Sequence, residues 1–248
     1  MDYKNYISLG YFCNVASDLE QLGLRNTSSP FDWVISDFEG VIQAIDNQFS
    51  DFMVYDNLIQ SEKFRNHYFD SKYKIYFFHD FDEYTSLRNQ YNIVKEKYDR
   101  RIKRFLSNIK EPTIFFRYIS SEKDMANELK YIEKNYDYIV NTIKRYNQNN
   151  KLIFIGDESV NSGNKFTVYH VKVDNNDIVS RHPIINNDEL HNIVKNFTVY
   201  NQEENIKRFN EKQNKKKKTR ITSFVLTKYK ALFRQKYRHE KSFYWETK

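Results

Sequence analysis

One cysteine, five glycines and three prolines are all that 248 residues hold of the residue types that most constrain a backbone. A single cysteine, Cys13, excludes an internal disulfide and suits a reducing compartment. With so few glycines and prolines, turns must be closed mainly by Asn, Asp and Ser. No stretch approaches the roughly 18 uncharged apolar residues that a membrane span needs. The opening "MDYKNYISLGYF" carries an early Asp and no apolar core, unlike a secretory signal. The expected location is cytoplasmic, or peripheral on the inner face of the membrane. Glycine-rich phosphate loops, zinc-ligand spacings and metal-binding carboxylate clusters are also missing, so neither metal nor cofactor is expected. His67, His170, His182 and His239 are scattered without ligand spacing.

What the chain does have is apolar bulk and an uneven charge. Apolar residues make up 40% and aromatics 17%, the composition of a folded protein. The net charge of +7 conceals a division: residues 212–248 hold 13 Lys or Arg against Glu240 and Glu246, a charge of +11, which leaves −4 on residues 1–211. Such asymmetry marks an interaction tail. The expected organisation is an α/β domain over 1–200 and a basic helical tail over 201–248.

Within the body, strand-like and helix-like stretches alternate. "NYISLG" (5–10) reads as a strand, and Phe12, Val15, Ala16, Leu19 and Leu22 then form a helical stripe that Gly23 is placed to stop. "KIYFFHD" (74–80), "TIFFRY" (113–118), "KLIFIGD" (151–157) and "FTVYHVKV" (166–173) read as further strands. Helices are expected over 82–109, 121–146 and 188–198. The alternation predicts a mostly parallel sheet covered by helices on both faces.

In such sheets ligands bind beyond the carboxyl ends of the strands. The predicted strands end at Gly10 with Cys13 following, at His79 and Asp80, at Arg117, and at Gly156 and Asp157, bringing a thiol, an imidazole, a guanidinium and carboxylates to one edge. Cys13 in the first turn of a helix gains from the macrodipole, which favours the thiolate nucleophile. Gly10 permits close backbone approach, and N–H groups of residues 11–14, Asn14 included, could form an oxyanion pocket. The bland alternative is a small buried hydrophobe.

The run "SLGYFCNVASDLEQLGLRNTSSPFDW" (8–33) resembles the opening signature of a family classed as "putative papain-like cysteine peptidases": a strand, L-G-x-x-C, an apolar helix, L-G-L-R, Ser-Pro and F-D-W. The resemblance continues through "FFHDF" (77–81), "KYDRRIKRF" (97–105) and "FFRY" (115–118). It implies a nucleophilic Cys13 with His79 as its base. The 65 or so residues between the two are few for papain itself, so the label does not fix the fold. Asp32 is a candidate to orient His79, or else a turn cap after Ser-Pro.

A rival pair lies in "NNDELHNIVKNF": Asp188 and His191 form a D-x-x-H at the start of a late helix. In order this resembles SGNH-type esterases and acetyltransferases, with Cys13 in place of serine; the plainer reading is an N-capping Asp and a surface His. Arg100, Arg101, Lys103, Arg104 and Arg117 are candidates to hold an anionic substrate group, Arg117 foremost because it ends an apolar strand. The substrate expected of a hydrolase is a peptide. An acyltransferase or esterase acting on a surface glycan, with acetyl-CoA as donor in the transferase case, is the alternative, and a membrane-recruited binding protein is a third reading. The tail over 212–248, with Phe224, Leu226, Tyr229, Leu232, Phe233 and Tyr237 among its cations, suits an anionic membrane surface. No nucleic-acid module accompanies it.

Overall fold

The computed structural model describes residues 2–119, 128–157, 160–171 and 182–217. Two compact units divide the chain, Met1–Asn205 and Ile206–Lys248. In the second, residues 206–217 are described and are helical; the expected amphipathic stretch beyond them lies outside the described residues.

The first unit is α/β. Strands β1 (Asn5–Ser8), β6 (Thr113–Ile119), β7 (Lys151–Asp157) and β8 (Val168–Val171) form a parallel sheet in the order β1-β6-β7-β8. Strand β6 lies inside the sheet and is buried along its whole length, and alternate residues serve opposite faces. Ile114, Phe116 and Tyr118 join a core with Val15 and Leu19 of helix α1 (Asn14–Gln21) and Leu190 and Val194 of helix α5 (Asp188–Val194). Phe115 and Ile119 join the opposite core. There they meet Phe38 and Val41 of helix α2 (Phe38–Asp46), Tyr98 and Phe105 of helix α3 (Leu87–Asn108), and Ile132 and Ile139 of helix α4 (Glu128–Lys144). The sheet is thus covered by helices on both faces.

A second sheet lies in residues 34–77, most of which the sequence left without elements. Strands β2 (Val34–Ser36), β3 (Leu58–Gln60), β4 (Tyr68–Asp70) and β5 (Ile75–Phe77) pair antiparallel in the order β2-β5-β4-β3. The strand expected over 74–80 is therefore three residues long and is not part of the parallel sheet. Its apolar run alternates, Ile75 and Phe77 facing the core and Tyr76 facing out at 48% exposure. Such alternation belongs to a sheet with one covered face.

The other boundaries shorten. Helix α3 starts at Leu87 rather than 82. Residues 120–127, the first part of the helix expected over 121–146, lie outside the described residues. The stripe on α1 buries Val15, Ala16 and Leu19 as expected. Gly23 ends that helix: its N–H donates to Glu20 O and the Leu24 N–H to Leu19 O, a Schellman closure. Among the described residues no helix is long and apolar enough to cross a membrane.

Candidate functional site

The turn between β1 and α1 is built around one serine. Leu9 N–H still donates to Phe116 O at 2.8 Å, one step past the strand. Gly10 then takes φ +82 and Tyr11 takes φ +65. A Cβ on Gly10 would stand 2.4 Å from Ser36 Oγ, so the position admits no side chain. Tyr11 N–H donates to that same Oγ at 3.2 Å, and its ring stacks on Tyr118 at 5.6 Å between centroids. A left-handed tyrosine is costly by about 1 kcal/mol or more and persists only where its surroundings hold it. These contacts do so.

Cys13 is the N-cap of α1, in helical φ/ψ, and its side chain does not cap the helix. It is half-buried, and Sγ donates to Asn14 Oδ1 at 3.7 Å. Burial pushes the thiol above its ordinary pKa, outweighing the backbone hydrogen bond that lowers it. Burial thus acts against the thiolate that the helix start was expected to favour.

His79 follows β5 and is exposed. Phe78 bridges it to the start of α1: the Phe78 ring stacks on Phe12 at 5.6 Å and lies 4.2 Å from the His79 ring. Cys13 Sγ and His79 are not hydrogen-bonded in this state. Asp80 turns inward as its neighbour turns out, with its side chain 4% exposed. It pairs with Lys97 and accepts from Tyr98 OH at 2.8 Å.

Asp32 does not orient His79. Its buried carboxylate accepts from Arg25 Nη1 at 2.6 Å and from Ser29 N–H at 2.9 Å. Burial raises its pKa and the Arg25 charge opposes that. Ser29, Pro30 and Phe31 make the tight turn that aims it inward, while Arg25 also pairs with Glu20 and lies 5.5 Å over Trp33. The F-D-W segment is thus a clasp onto the L-G-L-R segment.

Arg117 is not available to a substrate either. It is fully buried and spends all five donors inside the fold: Nε and Nη2 on Glu128 at 2.8 and 2.5 Å, Nη1 on Leu9 O and Ser36 Oγ at 2.9 Å each, and Nη2 again on Ser36 O at 2.6 Å. Arg117 faces the α2 side of the sheet and braces the Gly10 turn from below through Ser36. Asp188 and His191 are not bonded to each other. Asn187, not Asp188, caps α5 by accepting from Leu190 N–H.

One pair escaped sequence reasoning. His182 Nδ1 is hydrogen-bonded to Asp18 Oδ1 at 2.5 Å, and Asp18 Oδ2 accepts from the N–H groups of Ile184 and Ile185. Asp18 is fully buried one turn beyond Asn14 on α1. Pro183 lines a small cleft with Tyr11, Phe12, Asn14, Val15, Tyr118 and Val171, at the carboxyl edge of the parallel sheet. The sequence separation of 164 between the two partners leaves no local signal; the hint was an aspartate on the apolar stripe of a helix. Among the described residues no group of three or more His, Cys, Asp or Glu is placed to hold a metal ion.

A family model described as "Putative papain-like cysteine peptidase" matches residues 4–155. An uncharacterized protein, R408, of Acanthamoeba polyphaga mimivirus is 34% identical over 120 residues, which is 40% of this chain and 54% of that protein. The chain thus spans about half the length of this curated relative. No solved structure matches.

Proposed function

Because this chain belongs to the family of "putative papain-like cysteine peptidases", we propose that it is a cysteine hydrolase of acyl compounds, a peptidase in the first instance, with Cys13 as nucleophile and His79 as base. The observation that carries this reading is the left-handed Gly10–Tyr11 turn, clamped by Ser36, that presents Cys13 at the start of a helix on the carboxyl edge of the parallel sheet. Gln48, Phe49, Asp51, Met53 and Lys74 also take positive φ, so the Tyr11 turn supports the reading through its place two residues before Cys13.

Burial favours the protonated Cys13 thiol, which supports a mechanism in which attack on a carbonyl is assisted by a base that takes the Sγ proton as the C–S bond forms. N–H groups at the start of α1 stabilise the oxyanion. The base returns the proton to the leaving group, and water then cleaves the thioester. His79 is joined to this edge through the Phe78–Phe12 stack.

A second reading gives the base role to His182, because a carboxylate already orients its ring. Digestion of a peptide library, with Cys13 acylation by a thiol-directed probe as a second readout, tests both. Cys13→Ser should abolish both signals with folding retained. His79→Gln should lower the rate 10²–10⁴-fold if His79 is the base; the same loss in His182→Gln instead transfers the role. Alkylation of Cys13 by iodoacetamide checks the thiol itself. Since burial raises its pKa, the rate should climb with pH through a midpoint above that of free cysteine. Folding stability should fall over the same range, because the unfolded chain releases that proton first. A Cys13→Ala protein with full activity ends the nucleophile reading.

A further inference from the structure

Residues from three separate stretches, the 25–33 loop, the turn after β5 and three positions of α3, meet in one charged cluster. Arg25 and Asp32 form one ion pair; Lys97 and Asp80 form another. Between them stands Tyr98, fully buried, whose ring carries Lys97 on one approach, with Nζ at 5.6 Å, and Arg101 on the other, with Cζ at 5.0 Å. Tyr98 OH donates to Asp80. Arg101 lies one turn beyond Lys97 and Tyr98, so all three share a helix face.

The cluster is complete except at Arg101. Asp32 is taken by Arg25 and Ser29 N–H, and Asp80 by Lys97 and Tyr98. Among the described residues Arg101 makes neither ion pair nor hydrogen bond, although its Nη1 is buried. A buried guanidinium nitrogen without an acceptor is destabilising, and calls for an explanation. The neighbouring Arg100 shows the contrast: it is exposed and pairs loosely with Glu96 at 3.9 Å.

We infer that Arg101 is the anchor of an oxyanion site, taking a phosphate or carboxylate group of a ligand on the surface bounded by the 25–33 loop, Asp80 and α3. The planar fork of Arg suits a bidentate oxyanion, and the stack on Tyr98 holds it in place before the ligand arrives. Arg25 is shared between Asp32 and Glu20 and Lys97 pairs with Asp80, which leaves Arg101, among the described residues, as the cation of the cluster without an ion pair of its own. The site neighbours His79 through Asp80. It does not rest on the nucleophile reading and survives if that reading fails.

Isothermal titration of the full-length protein tests it, with inorganic phosphate and acetate as probes at constant ionic strength. Phosphate, acetate or both should bind, and the stronger of the two identifies the group preferred. Arg101→Gln should weaken binding at least 10-fold, Arg101→Lys should weaken it less, and Arg100→Gln should leave it unchanged. Absence of heat with both probes overturns the inference. So does equal binding by wild type and Arg101→Gln, which would assign the anion to the Lys-rich tail. If Arg101→Gln does not fold, Arg101→Lys decides: an unchanged affinity sinks the site.

Discussion

Arg117 shows how one side chain can look functional in sequence and be structural in fact. An arginine ending an apolar strand at the carboxyl edge of a sheet is a sound candidate for a substrate anion. What could not be seen is Glu128, ten positions past the strand's visible end, or Ser36, 81 residues upstream, which together absorb its donors. Removing one partner of a buried pair leaves the other charged and unpaired, at a cost of about 3–5 kcal/mol. Arg117→Ala should therefore shift the urea midpoint downward by that equivalent. The double variant Arg117→Met/Glu128→Leu should recover much of it. Wild-type stability in Arg117→Ala would mean that the guanidinium is held for a ligand after all. At the same scale the place of Cys13 at the start of the first helix was legible, because an apolar stripe follows a strand and a glycine there. Asp18 was not, because its partner His182 comes from the far end of the chain.

At the scale of elements, what was legible followed from periodicity. The α1 stripe, the long α3 helix and strands β6 and β7 all show the spacing that their burial demands. The antiparallel sheet was missed because its strands are only three residues long and their outward residues are themselves apolar. Ile35, Tyr76, Phe69 and Ile59 stand in register across the outer face of β2, β5, β4 and β3, which blurs the alternation that marks a half-covered sheet. Helix α2 joins this sheet through a close approach. Asp37 caps it by accepting from the N–H groups of Glu39 and Gly40, and a Cβ on Gly40 would stand 1.7 Å from Tyr73 O. That oxygen belongs to the turn between β4 and β5 and cannot retreat without opening the sheet. Gly40→Ala should cost at least the 1–3 kcal/mol typical of overpacking, despite the helix propensity gained. A thermal melt checks it: an unchanged or raised Tm would show that α2 is free to shift away from the sheet.

At the scale of the molecule, the family match and the folded unit have different limits. Residues 4–155 contain both β1 and β6, most of β7 and the whole antiparallel sheet, so every residue of the resemblance lies within them. The core beneath α1 does not. Val171, Ile184, Leu190 and Val194, each at most 3% exposed, fill the α1 side of the parallel sheet from beyond the matched region. At roughly 1.5–3 kcal/mol for each buried aliphatic side chain, the four contribute about 6–12 kcal/mol before conformational entropy is counted, on the scale of a whole domain's stability. Their loss would also leave Asp18 buried without His182 or the N–H groups of Ile184 and Ile185. A chain ending at residue 155 should therefore fail to unfold cooperatively and should expose Tyr6, Val15, Leu19 and Phe116 to a hydrophobic dye. A chain ending at residue 211 keeps all four residues and should melt cooperatively. If the 155-residue chain melts as sharply as the 211-residue chain, the matched region is a self-sufficient domain. In that case the segment from β8 through α5 is packed on it without supporting the helix that carries Cys13.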